Sequence, residues 1–461
     1  MMSRPLHHGF DPQILREYDI RGVVGPALGS ADAYALGRGF GTHVARDGGS
    51  RVVVGRDGRL SSPMLEAALV DGLIDSGMTV LRIGVGATPM LYYAEAVLDV
   101  DGGIQVTGSH NPGDQNGFKL VYRRRPFFGD AITALAAGAE RGDWVAGQGS
   151  CVDVAILDSY VDRLVQDFDG APWRIGWDTG NGAAGPAIEK LTKLLPGEHH
   201  LLFTEVDGNF PHHHPDPTED ANLRDLQRLV VDKRLDFGLA FDGDGDRLGA
   251  VDAHGRILRG DDLLALFARA VLADHPGARI IADIKTSQSL FDLVADLGGE
   301  PMMWKTGHSH IKSRMEQVGA LLGGEMTGHI CFADQYYGFD DALYAAVRLI
   351  RALARLKTDL AAFRDSMPVL ASTAELRFGA GAHAPVDIVR GVREWLVAQD
   401  ARMVAIDGVR VTTADGWWLL RASNTQSLLT ARAEARDEQG LCRLLADLDA
   451  ALANQGVIRS N

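Results

Sequence analysis

Arg51-Val52-Val53-Val54-Gly55-Arg56-Asp57 is a short apolar run opened by a basic residue and closed by an acidic one. The same grammar returns at Arg174-Ile175-Gly176-Trp177-Asp178 and at Arg279-Ile280-Ile281-Ala282-Asp283. Apolar runs of that length between charged residues read as buried strands. A helical period follows. After the first run, Ser62 to Gly77 carries apolar side chains at Met64, Leu65, Ala68, Leu69, Leu73 and Ile74. Strand and helix alternation of this kind predicts βαβ units and largely parallel sheets.

Each repeat then has a second strand that opens into a polar loop. In the first, Gly103-Ile104-Gln105-Val106 leads to Thr107-Gly108-Ser109-His110-Asn111-Pro112. Pro112 cannot continue the strand and disfavours helical geometry at Asn111. In the second, Phe237 to Phe241 leads to Asp242-Gly243-Asp244-Gly245-Asp246-Arg247. In the third, Ala320-Leu321-Leu322 leads to Gly323-Gly324-Glu325-Met326-Thr327-Gly328-His329. Ligands of α/β sheets sit beyond the carboxyl ends of the strands, so three such loops facing one cleft would build a composite site. From Pro368 the pattern changes. Val409 to Thr412 and Trp417 to Leu420 read as strands, Arg421 to Thr425 as a polar loop, and Gly440 to Leu452 as a helix. The expected architecture is three similar α/β mixed-sheet domains plus a smaller C-terminal α+β domain around one central cleft. The expected boundaries are 1–150, 151–256, 257–367 and 368–461.

A chain of 461 residues has room for three or four domains. A net charge of −15 argues against nucleic acid or an anionic membrane as partner. The basic run Arg123-Arg124-Arg125 reads as a solvated turn. The cysteines, Cys151, Cys331 and Cys442, have no metal-type spacing and suggest reduced thiols in a cytoplasmic protein. No secretory h-region and no 18-residue apolar window is present, so neither export nor a membrane span is expected.

The strongest chemical signal is the alternation of Asp242, Asp244 and Asp246 with glycine. Three carboxylates so close repel one another, and a divalent cation offsets that cost. An EF-hand does not fit: counting from Asp242, the sixth residue is Arg247 rather than Gly and the twelfth is Ala253 rather than Glu. Hard oxygen ligands suit Mg²⁺ kept for phosphate chemistry. Arg247 could hold a phosphate bidentately, and Arg421-Ala422-Ser423-Asn424-Thr425 offers a phosphate cradle. Ser109 has a small neighbour in Gly108 and a proton-moving group in His110. Glu325 could accept from two vicinal sugar hydroxyls. Lys285, Lys305 and His308 add cations near strand ends. Pro211-His212-His213-His214-Pro215-Asp216-Pro217 looks like a metal tract, but its flanking prolines favour a rigid loop.

Together these loops resemble the α-D-phosphohexomutase superfamily, and within it the bacterial phosphomannomutase/phosphoglucomutase group. The resemblance rests on Arg16 to Gly22, Thr107 to Pro112, Gly117-Phe118-Lys119, Asp242 to Arg247, Lys305 to His308, Gly324 to His329 and Arg421 to Thr425. It implies a four-domain monomer whose Ser109 is carried as phosphoserine. Asp242, Asp244 and Asp246, with a phosphoserine oxygen, would hold Mg²⁺. Arg21, Lys119, His110 and His329 would assist proton transfer and stabilise charge. Glu325 and Thr327 would read sugar hydroxyls beside Tyr18, Arg247, Lys285 and His308. Arg421, Ser423, Asn424 and Thr425 would grip the unreactive phosphate. The reaction implied interconverts hexose 1-phosphate and 6-phosphate, of mannose and glucose, through glucose 1,6-bisphosphate or its mannose counterpart, which also acts as activator. Thr327 stands where the group usually has Ser, and Gln426-Ser427 where it often has Thr-Pro or Glu-Pro. Met326 and Gly108 favour glucose and mannose over glucosamine. The competing readings are a phosphoglucosamine mutase, a phosphate hydrolase, and a non-catalytic protein that binds sugar phosphate or Mg²⁺.

Overall fold

The computed structural model describes residues 6–381, 383–423 and 428–459. Among these, the strands form four sheets, of seven, five, four and six strands. The first contains β1 (Ile20–Val23), β2 (Arg51–Arg56), β3 (Thr79–Val85), β4 (Gly102–Val106), β5 (Gln115–Tyr122), β6 (Arg125–Pro126) and β7 (Ser150–Asp153). The second contains β8 (Trp173–Asp178), β9 (Gly197–Leu202), β10 (Phe237–Phe241), β11 (Leu248–Asp252) and β12 (Ile257–Leu258). The third contains β13 (Arg279–Asp283), β14 (Glu300–Trp304), β15 (Leu322–Gly324) and β16 (Ile330–Phe332). The fourth contains β17 (Ala371–Ser372), β18 (Leu376–Phe378), β19 (Met403–Val404), β20 (Val409–Thr412), β21 (Gly416–Ala422) and β22 (Leu429–Ala435).

The sequence repeat is a repeat of topology. The three acid-closed strands β2, β8 and β13 are each flanked by two parallel partners, β3 and β4, β9 and β10, and β14 and β15. The loop-bearing strands β4, β10 and β15 then pair antiparallel with β5, β11 and β16. Parallel neighbours need crossovers, and helices provide them: Ser62–Asp75 and Thr88–Val97 in the first unit, Gly185–Leu191 and Arg224–Lys233 in the second, Gln288–Asp296 and His308–Val318 in the third. Local chemistry sets their starts. Among the described residues, proline occupies the first turn of four helices, including Ser62–Asp75 and Thr88–Val97, where its missing N–H costs nothing. Asp341 caps the helix Ala342–Leu356 by accepting from Tyr344 N–H at 2.9 Å.

Strand β7 pairs with β3, so the first sheet runs to Asp153, and β12 pairs with β11, so the second runs to Leu258. Gly323 and Gly324, expected in the loop, lie in β15 instead. A Cβ on Gly324 would meet the His329 carbonyl at 2.5 Å, so the missing side chain serves strand packing there.

One apolar cluster runs through the interfaces of the first three units, joining Tyr93 and Leu91 to Trp177, Phe237 and Leu264. Trp177 is fully buried and stacks on Phe241 with ring centroids 6.1 Å apart. Truncating such a side chain to alanine costs about 3–5 kcal/mol. The fourth unit has its own core around Trp418, Leu420 and Leu448, and meets the third through Ile284, Trp417 and Leu419. The three cysteines are free. No described helix is long and apolar enough to cross a membrane.

Candidate active site

The acid that closes each repeated strand is buried, and in the first and third units it braces the neighbouring loop. Asp57 Oδ2 accepts from Gly108 N–H at 3.1 Å, and Asp283 Oδ1 accepts from Met326 N–H at 3.4 Å. Asp178 accepts from Gly180 N–H at 2.9 Å and pairs with His213 at 3.0 Å. The loops after β4 and β15 are thus fixed from the strand beside them.

Ser109 sits just past β4 with φ of 51°, a left-handed conformation that a serine adopts at a cost. Its Oγ donates to Asp242 Oδ2 at 3.0 Å and lies 3.2 Å from His110 Nδ1. The first and second units therefore meet at the serine. Burial, reinforced by the cations Arg247, Arg21, His329 and Lys119, holds the His110 imidazole well below its usual range. The imidazole beside the serine hydroxyl is therefore neutral, and the positive charge gathered around it suits an anion.

Asp242, Asp244 and Asp246 are fully buried beneath this point. One oxygen from each lies within 4.8 Å of the others, and among the described residues no hydrogen bond reaches Asp244 Oδ1. Burial and the other two carboxylates push Asp242 well up, whereas burial of Asp246 is outweighed by Lys119 and His329, which pull it down. Lys119 Nζ lies 2.7 Å from Asp244 Oδ2 and also contacts Asp246 Oδ2. Burial opposes its charge, but the aspartates prevail and keep it an ammonium. Three buried oxygen donors with an unsatisfied oxygen fit a hard divalent cation.

The third loop supplies Glu325 and His329. His329 Nε2 lies 3.3 Å from Asp246 Oδ1, and its Nδ1 3.2 Å from Glu325 Oε2. Burial opposes protonation, but Asp246 and Glu325 outweigh it and raise the imidazole to about 9. Burial likewise opposes ionisation of Glu325, yet His329 holds it down at about 2. His308 stacks on His329 with ring centroids 5.0 Å apart. A cleft of about 1180 Å³ opens above these groups. Its walls carry Tyr18, Arg21, Ser109, His110 and Lys119 from the first unit and Arg247 from the second. The third adds Lys285, His308, Glu325, Thr327 and His329, and the fourth Arg421 and Ser423.

Family models described as phosphoglucomutase/phosphomannomutase match the chain throughout: alpha/beta/alpha domain I over residues 12–144, domain II over 158–255, domain III over 259–369, and the C-terminal domain over 381–451. The chain belongs to the phosphoglucomutase/phosphomannomutase family. It is 44% identical over 435 residues to a phosphomannomutase/phosphoglucomutase of Pseudomonas putida, covering 94% of this chain and 93% of the relative. It is 43% identical over 439 residues to a phosphoglucomutase of Neisseria gonorrhoeae, covering 94% and 95%. A crystal structure of a phosphoglucomutase/phosphomannomutase family protein from Burkholderia thailandensis superposes with a TM-score of 0.91 at 42% identity, covering 97% of this chain and 98% of that one.

Other residues of this phosphohexomutase fold enter the site without a motif to announce them. Thr88, at the start of the helix Thr88–Val97, donates its hydroxyl to Asp244 Oδ2 and its N–H to Asp244 O, at 2.5 and 2.7 Å. Asp340 lies 2.9 Å from His308 Nδ1 and 2.7 Å from Lys312 Nζ, so His308 presents Nε2 to the cleft. Asp407 spans two units, 3.0 Å from Arg421 Nη2 and 3.1 Å from Thr306 N. Tyr18 donates to Thr306 O at 2.7 Å, and Arg21 to Asn111 Oδ1 at 2.8 Å. Thr327 Oγ1 stands 3.4 Å from His329 Nδ1. Arg421 and Ala422 belong to β21 rather than to a loop. Asn424, Thr425 and Gln426-Ser427 lie outside the described residues. The run Arg123–Arg125 turns between β5 and β6, with Arg123 and Arg124 at positive φ and Arg125 held bidentately by Glu316.

Proposed function

We infer that this chain interconverts hexose 1-phosphate and hexose 6-phosphate, with Ser109 as the phosphoryl carrier. One observation carries the reading: a serine hydroxyl, 3.0 Å from a buried acidic triad, lies in a cleft that all four domains line. Phosphorylated Ser109 gives its phosphoryl group to the free hydroxyl of a hexose monophosphate. The bisphosphate so formed reverses in the cleft and returns its other phosphate to the serine. Phosphoryl transfer needs positioning and charge neutralisation more than covalent chemistry. Lys119, Arg21, Arg247 and protonated His329 surround the serine with positive charge, and neutral His110 receives a proton. Asp242, Asp244, Asp246 and Ser109 would hold Mg²⁺, whose contribution is to neutralise charge on the transferring phosphoryl group. Glu325 and Thr327 read sugar hydroxyls, with Tyr18, Lys285 and His308 beside them. Arg421 and Ser423, with Asn424 and Thr425, grip the phosphate that is not reacting.

Mannose and glucose phosphates are both substrates in this reading. The names of the relatives support it, since they include both sugars. Glucose 1,6-bisphosphate acts as intermediate and activator. The domains meet after Asp153, after Leu258 and near Pro368, and the enzyme works as a cytoplasmic monomer. The test is to supply mannose 1-phosphate, glucose 1-phosphate and glucosamine 1-phosphate separately and measure 6-phosphate formation. Ser109→Ala should abolish turnover with the fold intact, and intact-mass spectrometry of the unmodified sequence should show a species heavier by one phosphate. Full activity in the alanine variant would end the carrier assignment, and preferential turnover of the glucosamine phosphate would replace the substrate class.

A further inference from the structure

Four consecutive carbonyls of the serine loop are each held by a side chain. Arg59 Nη2 donates to Ser109 O at 2.7 Å and to Asn111 O at 2.6 Å. Its Nη1 donates to Pro112 O at 2.6 Å and to Gln115 O at 2.9 Å. The carbonyl left over, that of His110, accepts from Nε2–H of His214. His214 comes from the second domain, in the tract Pro211 to Pro217. That tract is pinned in turn, with His213 3.0 Å from Asp178 and His212 2.8 Å from Asn181.

Arg59 is 1% exposed. Burying a guanidinium is costly unless its donors are met. Here the four loop carbonyls take the four Nη donors, and the Asp57 carboxylate lies 3.2 Å from Nε as an ion pair without a hydrogen bond to it. The packing is close as well. A Cβ on Gly108 would fall 2.5 Å from Arg59 Cζ, and the Phe210 ring of the second domain lies 5.3 Å from it. All four Nη donors are spent on one short loop. Its serine holds φ of 51°, which surrounding contacts must over-determine to persist. With the carbonyls held by Arg59 and His214, Ser109 Oγ is left to meet Asp242.

We propose that Arg59 and His214 are positioning residues of the phosphoryl transfer: one from each of two domains, they clamp the carbonyls of Ser109 to Pro112 and so fix the serine oxygen at the acidic triad. The proposal rests on the reading of Ser109 as phosphoryl carrier. The clamp acts on the reacting atom and leaves Arg421 and Ser423 alone, so it bears on kcat and not on monophosphate binding.

The deciding comparison is His214→Leu against His214→Gln, whose side-chain amide can still donate to the His110 carbonyl. Kinetics with glucose 1-phosphate, melting temperature, and Ser109 phosphorylation after incubation with glucose 1,6-bisphosphate are measured for each. His214→Leu should lower kcat about tenfold or more with KM changed less than about twofold, and His214→Gln should restore most of that loss. Arg59→Ala should lower kcat about a hundredfold, with partial recovery in millimolar guanidinium and none in sodium chloride of equal ionic strength. Should Arg59→Ala not fold, the His214 pair decides alone. An unchanged kcat in His214→Leu, or a His214→Gln as impaired as the leucine variant, overturns the clamp while phosphorylated Ser109 keeps the carrier reading. Unmodified protein that takes up no phosphate at Ser109 overturns the carrier reading and the clamp with it.

Discussion

Gly243 is the residue at which the aspartate loop touches the serine loop. A Cβ there would lie 2.4 Å from the Ser109 carbonyl oxygen and 3.3 Å from Pro215 Cγ. A backbone oxygen already held by Arg59 cannot swing aside as a flexible side chain would. Gly243→Ala should therefore destabilise the protein by roughly 1–3 kcal/mol and lower kcat, as read by thermal unfolding and steady-state kinetics. Unchanged values of both would show that the two loops part in the working enzyme. The neighbouring Asp244 is a cleaner probe of the cation. Asp244→Asn keeps the acceptor for Thr88 but removes one charge from the triad, so affinity for Mg²⁺ should fall, as measured by calorimetric titration of the folded protein. Excess chelator should stop catalysis in the unmodified protein. Undiminished turnover under chelation, or equal metal affinity in the asparagine variant, would remove the cation from the site. The glycine-spaced aspartates were visible in the sequence because their spacing is itself the chemistry. Arg59 and His214 were not, because a guanidinium that serves carbonyls looks in sequence like any other charge near a strand end.

At the scale of the element, the helix Ala342–Leu356 starts at a buried carboxyl that also ties three segments together. Asp341 caps the helix and accepts from Tyr160 Oη at 3.0 Å and from Tyr336 Oη at 2.8 Å. Burial pushes its pKa up to about 6, against the opposing hydrogen bonds of Tyr344 N–H, Tyr336 and Tyr160. A raised carboxyl binds its proton more tightly in the folded state than in the unfolded one. Its contribution to stability is therefore fully present below about pH 4 and lost as pH rises through about 6. An amide has no such dependence. The stability gap between the unmodified protein and Asp341→Asn should thus shrink by up to about 3 kcal/mol between about pH 4 and about pH 7. Urea unfolding of both proteins at the two pH values measures this, and a gap that is constant or widens with pH contradicts it. The element pattern itself was legible: Val409–Thr412 is a strand as expected, and Ser62–Asp75 a helix two residues shorter than its apolar period suggested. The period gives a buried face but does not say where the last turn stops.

At the scale of the whole molecule, the fourth domain closes the cleft through a few buried polar ties. Arg410, 1% exposed, donates to Ile284 O at 2.7 Å and Thr286 O at 2.8 Å, and lies 3.7 Å over the Trp417 ring. Glu434 Oε1 accepts from Ser287 Oγ and Gln288 N, both at 3.0 Å. Lys285 pairs with Glu375 at 3.2 Å. Removing Arg410 leaves two buried carbonyls unpaired, at about 1–3 kcal/mol each. Arg410→Ala should therefore release the fourth domain, giving a separate low-temperature transition in calorimetry and a KM for hexose monophosphate that rises more than kcat falls. A single transition with KM unchanged would place the hold elsewhere.

The repeated grammar at Arg51, Arg174 and Arg279 determined three like βαβ units, because strand and helix periods are local properties of a chain. The same locality made Asp242 to Asp246 readable as a carboxylate cluster and Thr107 to Pro112 as a loop past a strand end. Only the tertiary structure decided which loops meet. Thr88 reaches Asp244 across 156 positions of sequence, and His214 reaches His110 across 104. The closing acids Asp57, Asp178 and Asp283 read as strand punctuation, and only folding shows Asp57 and Asp283 bracing the loops beside them. Pairings of that kind depend on how sheets and domains are placed against one another, which no local period encodes.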